Sequence, residues 1–203
     1  HCESSAASDV YKRQVLDNKS VQCWGRNNYG QLGNGEITST EDNTSVPMNL
    51  VETQNVKDVD AKGISTCAVL DNKSVSCWGK NEYGQLGNGI TGGSNSIPVI
   101  VSGTSNATKI TNGYRHACAI LDNKSVQCWG RNNQGQLGDG TFVDRNVPTA
   151  VTGVKNVVEI APGYRHTCAL LDNDTVQCWG QNNQGQLGDG TANSRTTPAE
   201  VQF

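Results

Sequence analysis

Three recurring groups of residues in this chain have types and spacings that could do chemistry. The first is a set of cysteines: Cys67 and Cys77, Cys118 and Cys128, Cys168 and Cys178, each pair with nine residues between partners, while Cys23 has no cysteine at the matching place. Thiols at fixed spacing can form disulfides, ligate metal or simply fill an apolar interior. The second is GYRHAC at 113–118 and GYRHTC at 163–168, which set Tyr114, Arg115 and His116, and Tyr164, Arg165 and His166, just ahead of a cysteine. An imidazole can act as a base, as a metal ligand or as a hydrogen-bonding strut. The third is the string GQLGNG or GQLGDG, whose glycines could cradle a phosphate.

Each possibility has a local test. No Lys-Ser or Lys-Thr follows the glycine strings, and they recur in every unit, so they read as tight turns between strands. Asp139 and Asp189, each followed by Gly, are turn residues on this reading and not a carboxylate dyad. No serine or cysteine nucleophile with an orienting acid stands near His116 or His166, so no catalytic residue is assigned; the histidines are expected to hydrogen-bond a neighbouring blade, with a place on a partner surface as the alternative. A structural zinc site needs four ligands, whereas one unit offers at most His and two Cys, and the second unit has Ser65 in the histidine's place. No metal and no cofactor is expected.

The elements that position these groups follow from a repeat. CWGRNNYGQLGNG at 23–35, CWGKNEYGQLGNG at 77–89, CWGRNNQGQLGDG at 128–140 and CWGQNNQGQLGDG at 178–190 place Trp24, Trp78, Trp129 and Trp179 at intervals of 54, 51 and 50 residues. Gly30, Gly84, Gly135 and Gly185 recur with them. From Pro47 to Trp78, Pro98 to Trp129 and Pro148 to Trp179 the interval is 31 each time, so all variation lies between the last glycine and the proline. A constant stretch beside an elastic one predicts a packed unit with a surface loop.

Within a unit, short apolar runs alternate with polar turns. Cys168–Leu171 and Val176–Trp179 flank Asp172-Asn173-Asp174, which predicts a hairpin. Counting outward from Asn173 sets Leu170 opposite Val176 and Cys168 opposite Cys178, and the same arithmetic joins the other two pairs. Cross-strand disulfides are the expected result, with buried free thiols as the alternative. A further strand is expected to end at Val59, Ile110 and Ile160, and another to start after Pro47, Pro98, Pro148 and Pro198. Four short antiparallel strands per unit make a β-propeller blade.

These residues, four copies of WGxNxxGQLGxG across roughly 15–203, resemble the regulator of chromosome condensation repeat family. The resemblance implies an all-β fold of seven blades in a typical member, of which this chain would hold four, as a fragment: a partial blade at 15–47, blades at 48–98, 99–148 and 149–198, and the start of another unit at 199–203. Residues 1–14 leave the pattern, with Tyr11 where histidine and Arg13 where cysteine would stand, and SSAASDVYKRQ is set aside as foreign, with a diverged first hairpin arm as the alternative.

The family includes an exchange factor for a small GTPase, a plant ultraviolet-B photoreceptor, adaptors and a bacterial β-lactamase inhibitor, so fold alone does not select a task. Tyr114 and Tyr164 stand where the photoreceptor carries tryptophan, and light sensing is not implied.

Composition narrows the choice. The chain carries 16 Lys and Arg against 19 Asp and Glu, a net charge of −3, with no concentrated basic stretch, which argues against nucleic acid. No apolar run approaches the roughly 18 residues of a membrane span. Nothing points to a small-molecule substrate. The expectation is a non-catalytic scaffold, secreted or on the cell surface if the disulfides form, that binds a protein through Tyr114, Arg115, His116, Tyr164, Arg165, His166 and the acidic loop at Glu41 and Asp42. The alternatives are a cytoplasmic exchange factor or adaptor for a small GTPase, and the non-catalytic part of a larger enzyme. Sequons at Asn18, Asn72, Asn123 and Asn173 coincide with turn positions that explain their asparagines without glycosylation.

Peptide mapping of the denatured, unreduced natural protein is expected to recover Cys67–Cys77, Cys118–Cys128 and Cys168–Cys178 as linked peptides; free thiols at all six positions would return the compartment to the cytosol.

Overall fold

The computed structural model describes residues 11–39, 44–51 and 55–202. Fifteen strands and no helix are found among them. They are β1 (Tyr11–Val15), β2 (Val21–Gly25), β3 (Thr44–Asn49), β4 (Val56–Lys62), β5 (Ser65–Leu70), β6 (Val75–Lys80), β7 (Ser94–Ile100), β8 (Ala107–Asn112), β9 (His116–Leu121), β10 (Val126–Gly130), β11 (Arg145–Ala150), β12 (Val157–Pro162), β13 (His166–Leu171), β14 (Val176–Gly180) and β15 (Arg195–Glu200). They form one three-stranded sheet, β1–β3, and three four-stranded sheets, β4–β7, β8–β11 and β12–β15, each an antiparallel meander. These are consecutive propeller blades.

The middle hairpins have the register that counting from the turn demands: Cys67 lies opposite Cys77, Cys118 opposite Cys128 and Cys168 opposite Cys178. Each hairpin tip is held by its asparagine. Asn18, Asn72, Asn123 and Asn173 accept the amide of the residue two positions on at 3.0–3.2 Å. The left-handed residue is the next one, Lys19, Lys73, Lys124 or Asp174, with φ between 61° and 64°. The asparagine therefore supplies the side-chain acceptor and its neighbour takes the strained backbone.

Four boundaries differ from expectation. The first strands run on past Val59, Ile110 and Ile160 to Lys62, Asn112 and Pro162. Pro47, Pro98, Pro148 and Pro198 lie inside β3, β7, β11 and β15 and do not precede them. The ladder between β10 and β11 skips between Cys128 and Gly130, leaving Pro148 at a bulge on an edge strand, where a missing N–H costs no hydrogen bond. Because β15 pairs with β14, Arg195–Glu200 closes the fourth sheet and does not begin a further unit. Residues 11–14, set aside on sequence grounds, form with Val15 a strand paired to β2 that sets Arg13 opposite Cys23. Backbone pairing needs no cysteine.

The core lies between blades. Cys67, Val69, Val75 and Cys77 of the second blade pack with Ile110, Ala117, Ala119 and Trp129 of the third, and equivalent clusters join the other neighbours. At each junction one indole N–H crosses: Trp78 Nε1 donates to the Gln31 carbonyl at 3.0 Å, Trp129 to Gln85 at 3.0 Å and Trp179 to Gln136 at 2.9 Å. The glycine two residues beyond the acceptor makes room. A Cβ at Gly87 would stand 2.8 Å from Trp129 Nε1, and its φ is +66°.

Trp129→Phe leaves the buried Gln85 carbonyl without its donor and is expected to lower unfolding free energy by roughly 2–3 kcal/mol. Gly87→Ala combines a positive φ with a steric clash and is expected to cost at least ~1 kcal/mol more than Gly103→Ala, where φ is also positive but no atom lies within 4 Å. Urea midpoints at unchanged m-value measure both, and equal midpoints for the two glycine variants would contradict the contact.

Candidate functional site

In a four-stranded meander the first-to-second and third-to-fourth connections emerge at one end of the blade, and the second-to-third connection at the other. One face of the propeller therefore gathers residues 63–64, 113–115 and 163–165 together with the long loops 81–93, 131–144 and 181–194. The opposite face carries the hairpin tips. On that tip face Lys19 pairs with Asp71, Lys73 with Asp122 at 3.2 Å and Lys124 with Asp172 at 3.0 Å, each lysine reaching the next blade. All three pairs are exposed, and their energetic value is small.

The long loops share a brace that sequence reading left without a role. The asparagine of WGxN accepts the amide of the loop leucine, as Asn27 does from Leu32, Asn81 from Leu86, Asn132 from Leu137 and Asn182 from Leu187, at 2.9–3.0 Å. Its Nδ2 donates to a carbonyl nine residues on, that of Glu36, Ile90, Thr141 or Thr191. The glutamine of GQLG turns back to accept the amide two residues earlier. Recurrence of Asn and Gln at fixed places was the available signal.

Gly30, Gly84 and Gly135 press on the last strand of the next blade, where a Cβ would fall within 2.5–2.6 Å of Ser96, Asn146 and Arg195; Gly185, with φ +71°, meets nothing within 4 Å. Trp78, Trp129 and Trp179 are fully buried, and Trp24 is half-buried. Asp139 and Asp189 accept from Arg145 at 2.8 Å and Arg195 at 2.7 Å, and each takes a threonine hydroxyl as well. Thr191 and Arg195 hold the Asp189 carboxyl well below its usual range. They are loop struts.

The six paired cysteines form three disulfides with Cα atoms 4.1 Å apart, as expected of cross-strand neighbours that exchange no backbone hydrogen bonds. Cys23 is a buried thiol, pushed up to about 11 by desolvation with Arg13 opposing. Among the described residues no three His, Cys, Asp or Glu side chains gather as a metal centre would require.

The tyrosines and arginines of the two GYRH strings meet on the loop face. The Tyr114 and Tyr164 rings stack with centroids 4.4 Å apart. Arg115 lies over Tyr83 at 5.0 Å and donates from Nη1 to the Tyr83 hydroxyl at 2.8 Å, while Arg131 covers the same ring at 4.6 Å. Arg165 lies 5.2 Å from the Tyr164 ring. Tyr83 and Arg131, absent from the sequence-based set, belong to this cluster because neighbouring blades bring their loops together.

His116 takes the structural role expected of it and not the alternative place on a partner surface. It is fully buried and shares a 3.0 Å hydrogen bond with Thr167 Oγ1 in the next blade, so it cannot touch a partner. Thr167 donates onward to the Gln136 carbonyl at 2.9 Å, which makes His116 Nε2 the donor. His166 is half-buried. Glu41 and Asp42 lie outside the described residues.

Comparison with known proteins gives a consistent picture. Models of the regulator of chromosome condensation (RCC1) repeat match residues 20–69, 74–120, 125–170 and 173–203. Over 146 residues the chain is 30% identical to the human E3 ubiquitin-protein ligase HERC2, covering 70% of this chain and 3% of the ligase. Human WBSCR16 superposes with a TM-score of 0.85 at 24% identity over 100% of this chain and 53% of that one. Yeast RCC1 (Prp20), solved with Kap60 bound, superposes with a TM-score of 0.83 at 18% identity over 96% and 47%. The chain thus spans about half the length of these two solved structures and a small part of HERC2.

Burial, with His166 and Lys62 adding to it, holds the His116 imidazole down to about 3 against an ordinary 6.5. The unfolded chain therefore takes up a proton near pH 6.5 that the folded chain refuses until about pH 3, so stability is complete above 6.5 and falls as pH drops through that window. From pH 7 to pH 5 the loss is expected to be about 2 kcal/mol. His116→Gln, which keeps an N–H donor for Thr167, is expected to flatten the slope; parallel urea titrations of the two proteins that fall equally would exclude His116 as its source.

Proposed function

The chain belongs to the regulator of chromosome condensation (RCC1) repeat family, and from that premise we propose that it is a non-catalytic scaffold holding a protein partner on the loop face, outside the cytosol. The observation that carries this reading is the division of labour between the two kinds of residue in the blades. Asn, Gln, Leu, Gly and Trp recur and are consumed by the fold. The residues that differ between blades, among them Tyr83, Tyr114, Tyr164 and Arg165, collect at one end of the propeller, where chemistry is free to vary.

Among the described residues no nucleophile with base and orienting acid is assembled there, which supports binding over catalysis. Three disulfides favour an oxidising compartment. Yeast RCC1 (Prp20), which shares this fold, was solved with Kap60 bound, and a protein partner for a relative of like fold supports the reading. The 30% identity to HERC2 favours a second reading, in which these blades are the non-catalytic part of a larger enzyme.

Cross-linking of the natural protein in the extracellular fraction, followed by mass spectrometry, tests the proposal. Links from a partner are expected to map to 81–93, 113–115, 131–144, 163–165 and 181–194. A partner attached only through the hairpin tips, or retained only in the cytosol, would overturn it.

A further inference from the structure

Residues that a repeated scaffold requires recur in each blade; residues that it merely tolerates do not. At the loop-tip position, Tyr29 and Tyr83 alternate with Gln134 and Gln184, although the backbone amide there makes the same bond to glutamine in all four blades. At the turn after the first strand, Tyr114 and Tyr164 replace Gly63 of the second blade. Neither set of tyrosines is demanded by the fold.

Where the second, third and fourth blades meet, these optional residues make one continuous row. Arg131 and Arg115 both lie over the Tyr83 ring, Arg115 also lies 5.4 Å from Tyr114, Tyr114 stacks on Tyr164, and Arg165 ends the row. Among the described residues the three guanidinium groups of this row lie together without a carboxylate partner. Lys19, Lys73, Lys124, Arg145 and Arg195 each pair with a carboxylate, whereas among the described residues no carboxylate lies within ion-pair distance of Arg115, Arg131 or Arg165. The Nε groups of Arg115 and Arg165 are buried and find no acceptor there. Buried donors without partners carry an energetic penalty that a ligand would relieve.

We infer that this row is a docking site for a carboxylate-rich protein segment, an inference that rests on the scaffold reading and specifies its partner. Planar guanidinium groups held against aromatic faces are already ordered, so less side-chain entropy is lost when each meets a carboxylate in a bidentate pair. Tyr164, 51% exposed, offers an apolar shelf for the segment's side chains. Charge limits how far an anion can extend. The whole chain is net −3, and the opposite face carries Asp17, Asp71, Asp122, Asp172 and Asp174. A short acidic segment matches three arginines; a long phosphate backbone would run on into repulsion.

Fluorescence anisotropy with labelled octaglutamate, on the full chain at about 50 mM salt, tests the site. Arg131→Gln with Arg165→Gln is expected to weaken binding roughly tenfold or more, and about 0.5 M salt to weaken it for the unmodified chain. Lys73→Gln with Lys124→Gln, on the tip face, is expected to leave it within about twofold. The Arg131→Lys, Arg165→Lys pair guards against a folding defect: it keeps charge but loses the fork, and binding between the other two is expected. No octaglutamate binding, equal loss in the Gln variants of both faces, or tighter binding of an oligothymidylate of equal charge would overturn the inference. If the natural partner still cross-links through the loop face of the Arg131→Gln, Arg165→Gln chain, the acidic-segment inference falls while the scaffold reading stands.

Discussion

Every junction in this propeller depends on one indole N–H. A tryptophan buried between two sheets brings a large apolar body and a single donor, and the donor must find an acceptor or the burial is penalised. Here the acceptor is the carbonyl of a glutamine in the preceding blade's loop. For that carbonyl to point out of the loop, the loop must be folded back on itself, and the glutamine side chain and WGxN asparagine perform that task from within. For the indole to come close enough, the glycine beside it must lack a Cβ. The recurring residues of the long string are consequences of this single contact. In the fourth blade Thr167 donates to the same Gln136 carbonyl as Trp179, and Thr66 and Trp78 do likewise at Gln31.

The hairpin end of the blade is secured differently. Its tips sit in solvent, where the lysine-to-aspartate pairs are screened and the backbone bonds from Val56, Ala107 and Val157 to the preceding tip do the tying. The disulfides lie between these two ends, with Cys67 and Cys77 inside the cluster that joins the second and third blades. They cross-link a hairpin whose own apolar content is small, restricting the unfolded chain where side-chain packing has little to add. The first hairpin keeps its register with Arg13 opposite a buried Cys23 thiol, so the bridge reinforces the blade without being what defines it.

What was legible in the sequence was local. Hairpin register follows from counting out of a turn, so the cysteine pairs could be read from residues 67–77, 118–128 and 168–178, while the strand number and the fold class came from the full repeat and its resemblance. Contacts that cross between sheets could not. That His116 would bond to a neighbouring blade was expected, but its partner Thr167 and the parting of its side chain from Tyr114, which stays on the connection, follow from alternation along a strand and from the packing of two sheets. The glycines read as turn formers, which their positive φ values bear out, but their second role against the next blade's tryptophan has no trace within one repeat. The prolines were given to strand starts because a central strand excludes them; an outer strand with a bulge admits them at its middle.

The same distinction explains where binding chemistry can arise. Residues inside a blade are fixed by the indole contact and its supports, and residues on the tips are fixed by turn geometry. The connections on the loop face are held at their bases and free at their crests, so each blade can carry a different side chain there at little energetic cost. Because Arg115 crosses to Tyr83 in the preceding blade and Tyr114 stacks on Tyr164 in the following one, the row is a property of blades in a given order and not of any one blade. Exchanging the second and third blades would preserve the indole contacts but part Tyr114 from Tyr164 and break the row, and this makes blade order, invisible to the fold, the level at which such a propeller can acquire a particular partner.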